Sequence, residues 1–198
     1  MSLIAIIPAR GGSRRIPLKN IRLFHGKPII EYSIKAAQDA GFFSRIYVST
    51  DSPAVSSVAY RAGADVIWRP DNLAKDSVGT QAVARDVVER VTSDHLTIAP
   101  PKYVCCIYAT APLMRYMDLI DGYTVLRDSG APYVYTIGPN WQDAGQWYWG
   151  HARAFMDNVP LDQAELFRLP AERVCDINTE EDWRRAERLY DNMIKEQE

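Results

Sequence analysis

The stretch Ile4-Ala5-Ile6-Ile7-Pro8-Ala9-Arg10-Gly11-Gly12-Ser13-Arg14-Arg15-Ile16-Pro17-Leu18-Lys19-Asn20 gathers the residue types that hold polyanions. An apolar run empties into two adjacent glycines, which let the backbone turn sharply and approach a ligand because no Cβ stands in the way. Successive N–H groups in such a loop form a concave anion site, and Arg10, Arg14, Arg15 and Lys19 surround it with full positive charge. A polyphosphate is the natural guest; a solvated basic turn without a ligand is the plainer alternative.

Two standard phosphate fingerprints do not apply. The glycines are adjacent, so the G-x-G-x-x-G dinucleotide pattern is absent, and His25-Gly26-Lys27-Pro28 fails the Walker pattern. There Ile21 stands where the first glycine belongs and Pro28 replaces Ser or Thr. His25, His95 and His151 are scattered, which argues against a histidine-bound metal. Cys105 and Cys106 are neighbours in an apolar run and Cys175 is distant, so buried reduced thiols are expected rather than a disulfide or zinc site.

The elements that must position these residues alternate strand and helix. Strands are predicted at Ile4–Ile7, Arg45–Thr50, Asp65–Trp68, Tyr103–Ile107 and Tyr133–Ile137. Helices are predicted from Pro28, as a first helical residue, to Gly41, then over Pro53–Ala62, Gln81–Val91 and Met117–Arg127. Thr179-Glu180-Glu181-Asp182 reads as a capping box opening a final helix through Trp183, Ala186, Leu189 and Tyr190. Strands joined by crossover helices imply an α/β fold, a mostly parallel sheet with helices on both faces. Ligands of such sheets sit beyond the carboxyl ends of the strands, which puts the glycine loop, Asp51, Arg69 and Tyr108–Pro112 on one rim.

The chain of 198 residues suits a single domain, 1–198. A net charge of −2 argues against a protein that coats nucleic acid, so the cations matter locally. No apolar run is long enough for a membrane span, and Ser2–Ile7 lacks the basic lead-in of a signal peptide, so a cytoplasmic protein is expected.

Pro8–Arg14 with Lys19-Asn20 closely resembles the sugar-activating cytidylyltransferases, which join CMP to acidic 2-keto sugars. The resemblance continues through Gly26–Ile30, Val48–Asp51, Arg69-Pro70, Leu73-Ala74, Asp76 and Asp176–Trp183. Cys105–Pro112 and Asp143–Gly150 look most like the branch that takes pseudaminic acid; the sialic acid branch has Gln where Tyr108 stands. The resemblance implies a Rossmann-like nucleotidyltransferase fold and attack of the sugar's anomeric hydroxyl on the α-phosphate of CTP. It assigns phosphate neutralisation to Arg10 and Lys19, and nucleotide binding to Ala9, Arg10, Gly11, Gly12, Ser13, Asn20, Arg69 and Thr80. Tyr108, Thr110 and Gln146 fall to the sugar, and Asp176 with Asn178 to Mg²⁺. Simpler roles stand beside these: Thr80 as a helix cap, Arg69 as a strand-end cation, Lys19 as a loop lysine, Asp176 and Asn178 as a turn.

This chain departs from the family pattern twice. The metal motif, Asp-x-Asp in relatives, reads Asp176-Ile177-Asn178, and an amide oxygen brings no negative charge to a hard cation. Relatives also carry an insertion between the strand ending near Ile137 and Asp143. That arm closes over the sugar and supports a homodimer; here Gly138–Gln142 alone bridges the two points. Among the aromatic residues, Trp147 and Trp149 share one face of a strand and are expected to pack, while Trp141 is open to packing, dimer contact or a sugar platform.

Overall fold

The structure is a computed structural model that describes residues 2–93 and 99–195; His95 lies outside them. In chain order it comprises β1 (Leu3–Pro8), β2 (Leu23–Phe24), β3 (Lys27–Pro28), α1 (Ile29–Asp39), β4 (Arg45–Thr50), α2 (Pro53–Arg61), β5 (Asp65–Trp68) and α3 (Thr80–Ser93). There follow β6 (Tyr103–Ile107), α4 (Tyr116–Ser129), β7 (Tyr133–Ile137), β8 (Asp143–His151), α5 (Ala152–Met156), β9 (Glu165–Arg168) and α6 (Glu180–Lys195).

The first strand sets the plan of the molecule. Leu3, Ala5 and Ile7 enter one apolar layer while Ile4 and Ile6 enter the other, so both faces of β1 are buried. Helices α1, α2 and α4 cover the first layer through Ile30, Ile34, Val55, Ala59, Leu119 and Leu126. Helices α3 and α5 cover the second through Ala84, Val87, Val88 and Phe155. The sheet has the order β5-β4-β1-β6-β8-β7-β9. Strands β5, β4, β1 and β6 pair in parallel, β8 runs antiparallel to both β6 and β7, and β9 lies parallel to β7. Only β8 is reversed, so its first residues lie on the same rim as the carboxyl ends of the others.

Four strands have the predicted bounds, and the helices differ by one to a few residues at their ends. Pro28 is a correction. It pairs with Leu23 as the end of β3 and precedes α1 instead of opening it. His25 and Gly26, both at positive φ, form the turn of this hairpin, which explains why the residues mimic a Walker lysine without forming its loop. Trp147 and Trp149 pack fully buried, and Tyr148 between them enters the opposite layer. All three cysteines are buried and free. Among the described residues no helix is long and apolar enough to cross a membrane.

Helix α6 belongs to neither sheet layer. Trp183 and Ala186 pack with Ile16, Phe24, Ile29 and Ile177 in a separate cluster beneath the glycine loop. The expected capping box forms: Thr179 N donates to Asp182 Oδ2 at 2.8 Å, and Asp182 N returns to Thr179 Oγ1 at 3.2 Å. This helix therefore fixes the segment carrying Asp176 and Asn178 against the segment carrying Lys19.

Candidate active site

At the rim β1 leaves the sheet through Ala9, whose N–H still donates to Ser49 O at 2.9 Å. Ala9 is wholly buried and offers a ligand only its backbone. Gly11 is required by close approach, because a Cβ there would lie 2.7 Å from that of Ser52. Its N–H donates to Asp51 Oδ1 at 2.7 Å, and the Ser13 N–H donates to Gly11 O at 3.0 Å. Two amides assigned to phosphate thus have partners within the chain.

A cavity of about 490 Å³ opens over this loop. Its walls bring together Arg10, Ser13, Lys19, Asn20, Arg69, Thr80, Tyr108, Thr110, Asp176 and Asn178, with Arg14, Arg15 and Asp76 beside them. Elements far apart in sequence supply them: the β1 loop, the end of β5, the start of α3, the end of β6 and the approach to α6. Gln146 is not on this wall. Only 2% exposed, it donates through Nε2 to Arg173 O, and its Oε1 is buried without a hydrogen-bond partner. Gln146 lies three residues inside β8, and its side chain ties that strand to the segment before Asp176.

Charge dominates the cavity. Arg10 pairs with Asp76, which Arg14 also reaches at 3.1 Å. The Arg10 hydrogen bond holds the Asp76 carboxyl below the usual carboxylate range. Lys19 Nζ donates to Ile177 O at 2.5 Å. Burial lowers its affinity for the proton, and Arg15 and Arg10 push the same way against the pull of Asp176. Asn20 fixes the loop by donating to Arg10 O at 2.8 Å. Arg69, 3% exposed, is held by Ser49 O at 2.7 Å and is no loose strand-end cation. The Thr80 hydroxyl accepts from Tyr148 Oη at 3.1 Å and so faces the sheet.

Asp176 lines the same cavity beside Lys19. Burial of its carboxyl, and then the neighbouring Asp143, raise its affinity for the proton. Gly145, at φ +66°, makes this approach possible, because a Cβ there would lie 2.7 Å from the Asp176 Cα. The Gly145 N–H donates to Asp143 Oδ1 at 2.7 Å, and Tyr108 Oη donates to Asp143 Oδ2 at 3.3 Å. The approach of Asp143 to Asp176 is a feature that the sequence reading did not single out. Asn178 turns its Nδ2 toward Asp176 and its Oδ1 to Arg15, 3.0 Å away. Asp176 is the donor that fits a hard divalent cation; Asn178 would first have to reorient its amide. Among the described residues no three acidic, histidine or cysteine side chains cluster. A cation here would take its remaining ligands from phosphate and water, as Mg²⁺ commonly does.

Comparison with known proteins agrees with this geometry. Over 227 aligned residues, 96% of this chain and 97% of the relative, the chain is 32% identical to the pseudaminic acid cytidylyltransferase of Campylobacter jejuni. Over 78 residues, 39% of this chain and 34% of the relative, it is 47% identical to the CMP-N,N'-diacetyllegionaminic acid synthase of Legionella pneumophila. The fold matches the structure of CMP:2-keto-3-deoxy-manno-octonic acid synthetase complexed with CTP, with a TM-score of 0.76 at 15% identity, covering 98% of this chain and 100% of that one. The sequence model of the cytidylyltransferase family matches residues 4–156, and with the full-length relative it shows that this chain belongs to the cytidylyltransferases.

Proposed function

We propose that the protein transfers CMP from CTP to the anomeric hydroxyl of an acidic 2-keto sugar, with pseudaminic acid as the favoured acceptor. The observation that carries this reading is one rim cavity in which Arg10, Arg14, Arg15, Lys19 and Arg69 converge with Asp176. Such a cavity suits a triphosphate whose charge must be neutralised as pyrophosphate departs. Tyr108, at the position where the sialic branch has Gln, favours the pseudaminic acceptor over sialic or legionaminic acid.

In this reading the sugar oxygen bonds to the α-phosphorus as the bond to the bridging α–β oxygen breaks. Arg10 and Lys19 hold the departing β- and γ-phosphates, and the hydroxyl proton passes to solvent. The backbone of Ala9–Ser13 and the Asn20 side chain position the phosphates, and Arg69 and Thr80 flank the cytidine. Cytosine carries acceptors at O2 and N3 and a donor at N4, so an arginine donor with a backbone carbonyl separates it from uracil. Asp176 would hold Mg²⁺, assisted by Asn178 once its amide turns; the ion would add positive charge against the phosphates. Tyr108 and Thr110 face the sugar, and Gln146 supports the acceptor rim from behind.

The partners are thus small molecules, CTP and a sugar acid, and the compartment is the cytoplasm. The chain acts as a single nucleotidyltransferase domain, with the 138–142 turn in place of the family arm. Calorimetric titration with CTP, UTP, ATP and GTP, followed by a panel of 2-keto sugar acids in the presence of CMP, tests the reading. Preference for CTP and for pseudaminic acid is expected. Equal affinity for all four nucleotides would remove the cytidine assignment, and preference for legionaminic or sialic acid would reassign the acceptor.

A further inference from the structure

Strand β5 lies at one edge of the sheet, and its last residue leads into Arg69, one of the two side chains set beside the cytidine. Trp68 is 51% exposed and belongs to none of the apolar clusters, so packing does not fix this end of the strand. The peptide between Trp68 and Arg69 is held instead by hydrogen bonds on both sides. Its N–H, from Arg69, donates to Thr50 O of β4 at 2.8 Å. Its C=O, from Trp68, points the opposite way, as in any trans peptide, and accepts from Arg90 Nη1 at 3.1 Å. Arg90 stands in the last turn of α3, and its Nε donates to Asp86 Oδ1 at 3.1 Å, one turn earlier in the helix. Asp86 Oδ2 is buried without a hydrogen-bond partner among the described residues. A carboxylate left half-satisfied is a poor choice for stability alone and calls for a functional account.

Helix α3 therefore meets the base side of the cavity twice. Its first residue, Thr80, lines the cavity, and its Asp86–Arg90 pair holds the backbone that carries Arg69. The buried Arg69 guanidinium is itself anchored on β4, donating through Nη2 to Ser49 O at 2.7 Å and through Nε to Ser49 Oγ at 3.3 Å. We propose that Arg90, braced by Asp86, is a positioning residue that sets Arg69 for reading the cytosine base. This inference deepens the proposed function and rests on the assignment of Arg69 to the cytidine. Neither Asp86 nor Arg90 lines the cavity, so the pair acts through Arg69 and not on the nucleotide. Burial works against the charge of Arg69, and Asp51 and then Asp86 favour it. The pair also supports its own helix as an i, i+4 ion pair, but that role does not need the second bond, to Trp68 O. Reading a base edge requires donors held within about 0.5 Å of their place. Attraction between cations and a triphosphate falls off gradually with distance and tolerates such a displacement. Loss of the brace should therefore show in the choice of base and not in the hold on phosphate.

The test uses the full chain. Calorimetry measures binding of CTP, UTP and inorganic tripolyphosphate to wild type, Arg90→Ala, Asp86→Ala, Arg69→Ala and the Arg69→Ala, Arg90→Ala double variant. Arg90→Ala is expected to lower the ratio of CTP to UTP affinity roughly tenfold, the scale of one hydrogen bond to a charged group. Tripolyphosphate affinity should stay at the wild-type value, which also reports that the variant is folded. Asp86→Ala should lower the ratio in the same direction. In the Arg69→Ala background, Arg90→Ala should change the ratio no further, because a residue that acts through another adds nothing once the other is gone. If Arg69→Ala lowers the ratio while Arg90→Ala and Asp86→Ala leave it unchanged, the positioning role is overturned and the cytidine assignment stands. If Arg90→Ala weakens CTP, UTP and tripolyphosphate equally, or keeps its full effect on the ratio without Arg69, its role is general support and the proposal is likewise overturned. If wild type does not prefer CTP, or Arg69→Ala leaves the preference intact, the cytidine assignment falls and the proposal with it.

Discussion

Lys19 shows how one side chain can be tuned by its surroundings for one task. Half-buried, and beside Arg15 and Arg10, its ammonium gives up its proton below the 10.5 of a free lysine. CTP affinity should therefore fall on the alkaline side at a pH lower than a solvated lysine would give, since only the charged form neutralises phosphate. Lys19→Arg should move that limb upward, as guanidinium stays charged; binding measured across pH checks both. Lys19→Ala and Arg10→Ala should each lower turnover roughly a hundredfold, the scale for removing a preorganised group from developing charge. Asp76 now occupies Arg10 and Arg14. Asp76→Asn should free them and tighten CTP binding, and unchanged affinity would show that the pair opens without resistance. At this scale the cations were legible because glycines and arginines crowd one short segment. The Asp143–Asp176 approach was not, since nothing in either local sequence signals that two distant loops meet.

At the scale of elements, the meeting of β8 with the segment before α6 decides whether Asp176 is in place. Gly145→Ala would force a Cβ to 2.7 Å from the Asp176 Cα, at a backbone φ of +66°. A stability loss of about 1–3 kcal/mol is expected from the strain alone. Divalent-metal affinity, followed by Mn²⁺ titration in electron paramagnetic resonance, should fall with it. Asn178→Asp should instead lower the metal concentration needed for half-saturation, by adding an anionic oxygen. Asp118, near the start of α4, accepts from Arg173 in a largely buried pair. Asp118→Ala should destabilise by about 3 kcal/mol, measured by denaturant titration, because it leaves a buried guanidinium uncompensated. The parallel strands were legible from apolar runs bounded by turn residues. Strand β8 was not placed, because Gln146-Trp147-Tyr148-Trp149 is buried on both faces and shows no polar alternation from which direction or neighbours follow. That burial likewise kept the position of Gln146 off the cavity wall from being read.

For the whole molecule, the sheet order could not be read from the chain, since pairing of β8 between β6 and β7 rests on contacts distant in sequence. The mostly parallel architecture could, because crossover helices admit few alternatives. The alignment to the Campylobacter relative spans 227 positions against the 198 residues of this chain, so it contains gaps in this chain. The central claim is that the rim cavity transfers CMP from CTP to a sugar acid, and its most direct test is steady-state pyrophosphate release. With CTP, Mg²⁺ and pseudaminic acid, release should be sustained, should stop when the sugar is omitted or UTP replaces CTP, and should fall roughly a hundredfold in Lys19→Ala. Release that ignores the sugar or the base, or that survives in Lys19→Ala at the wild-type rate, would contradict it.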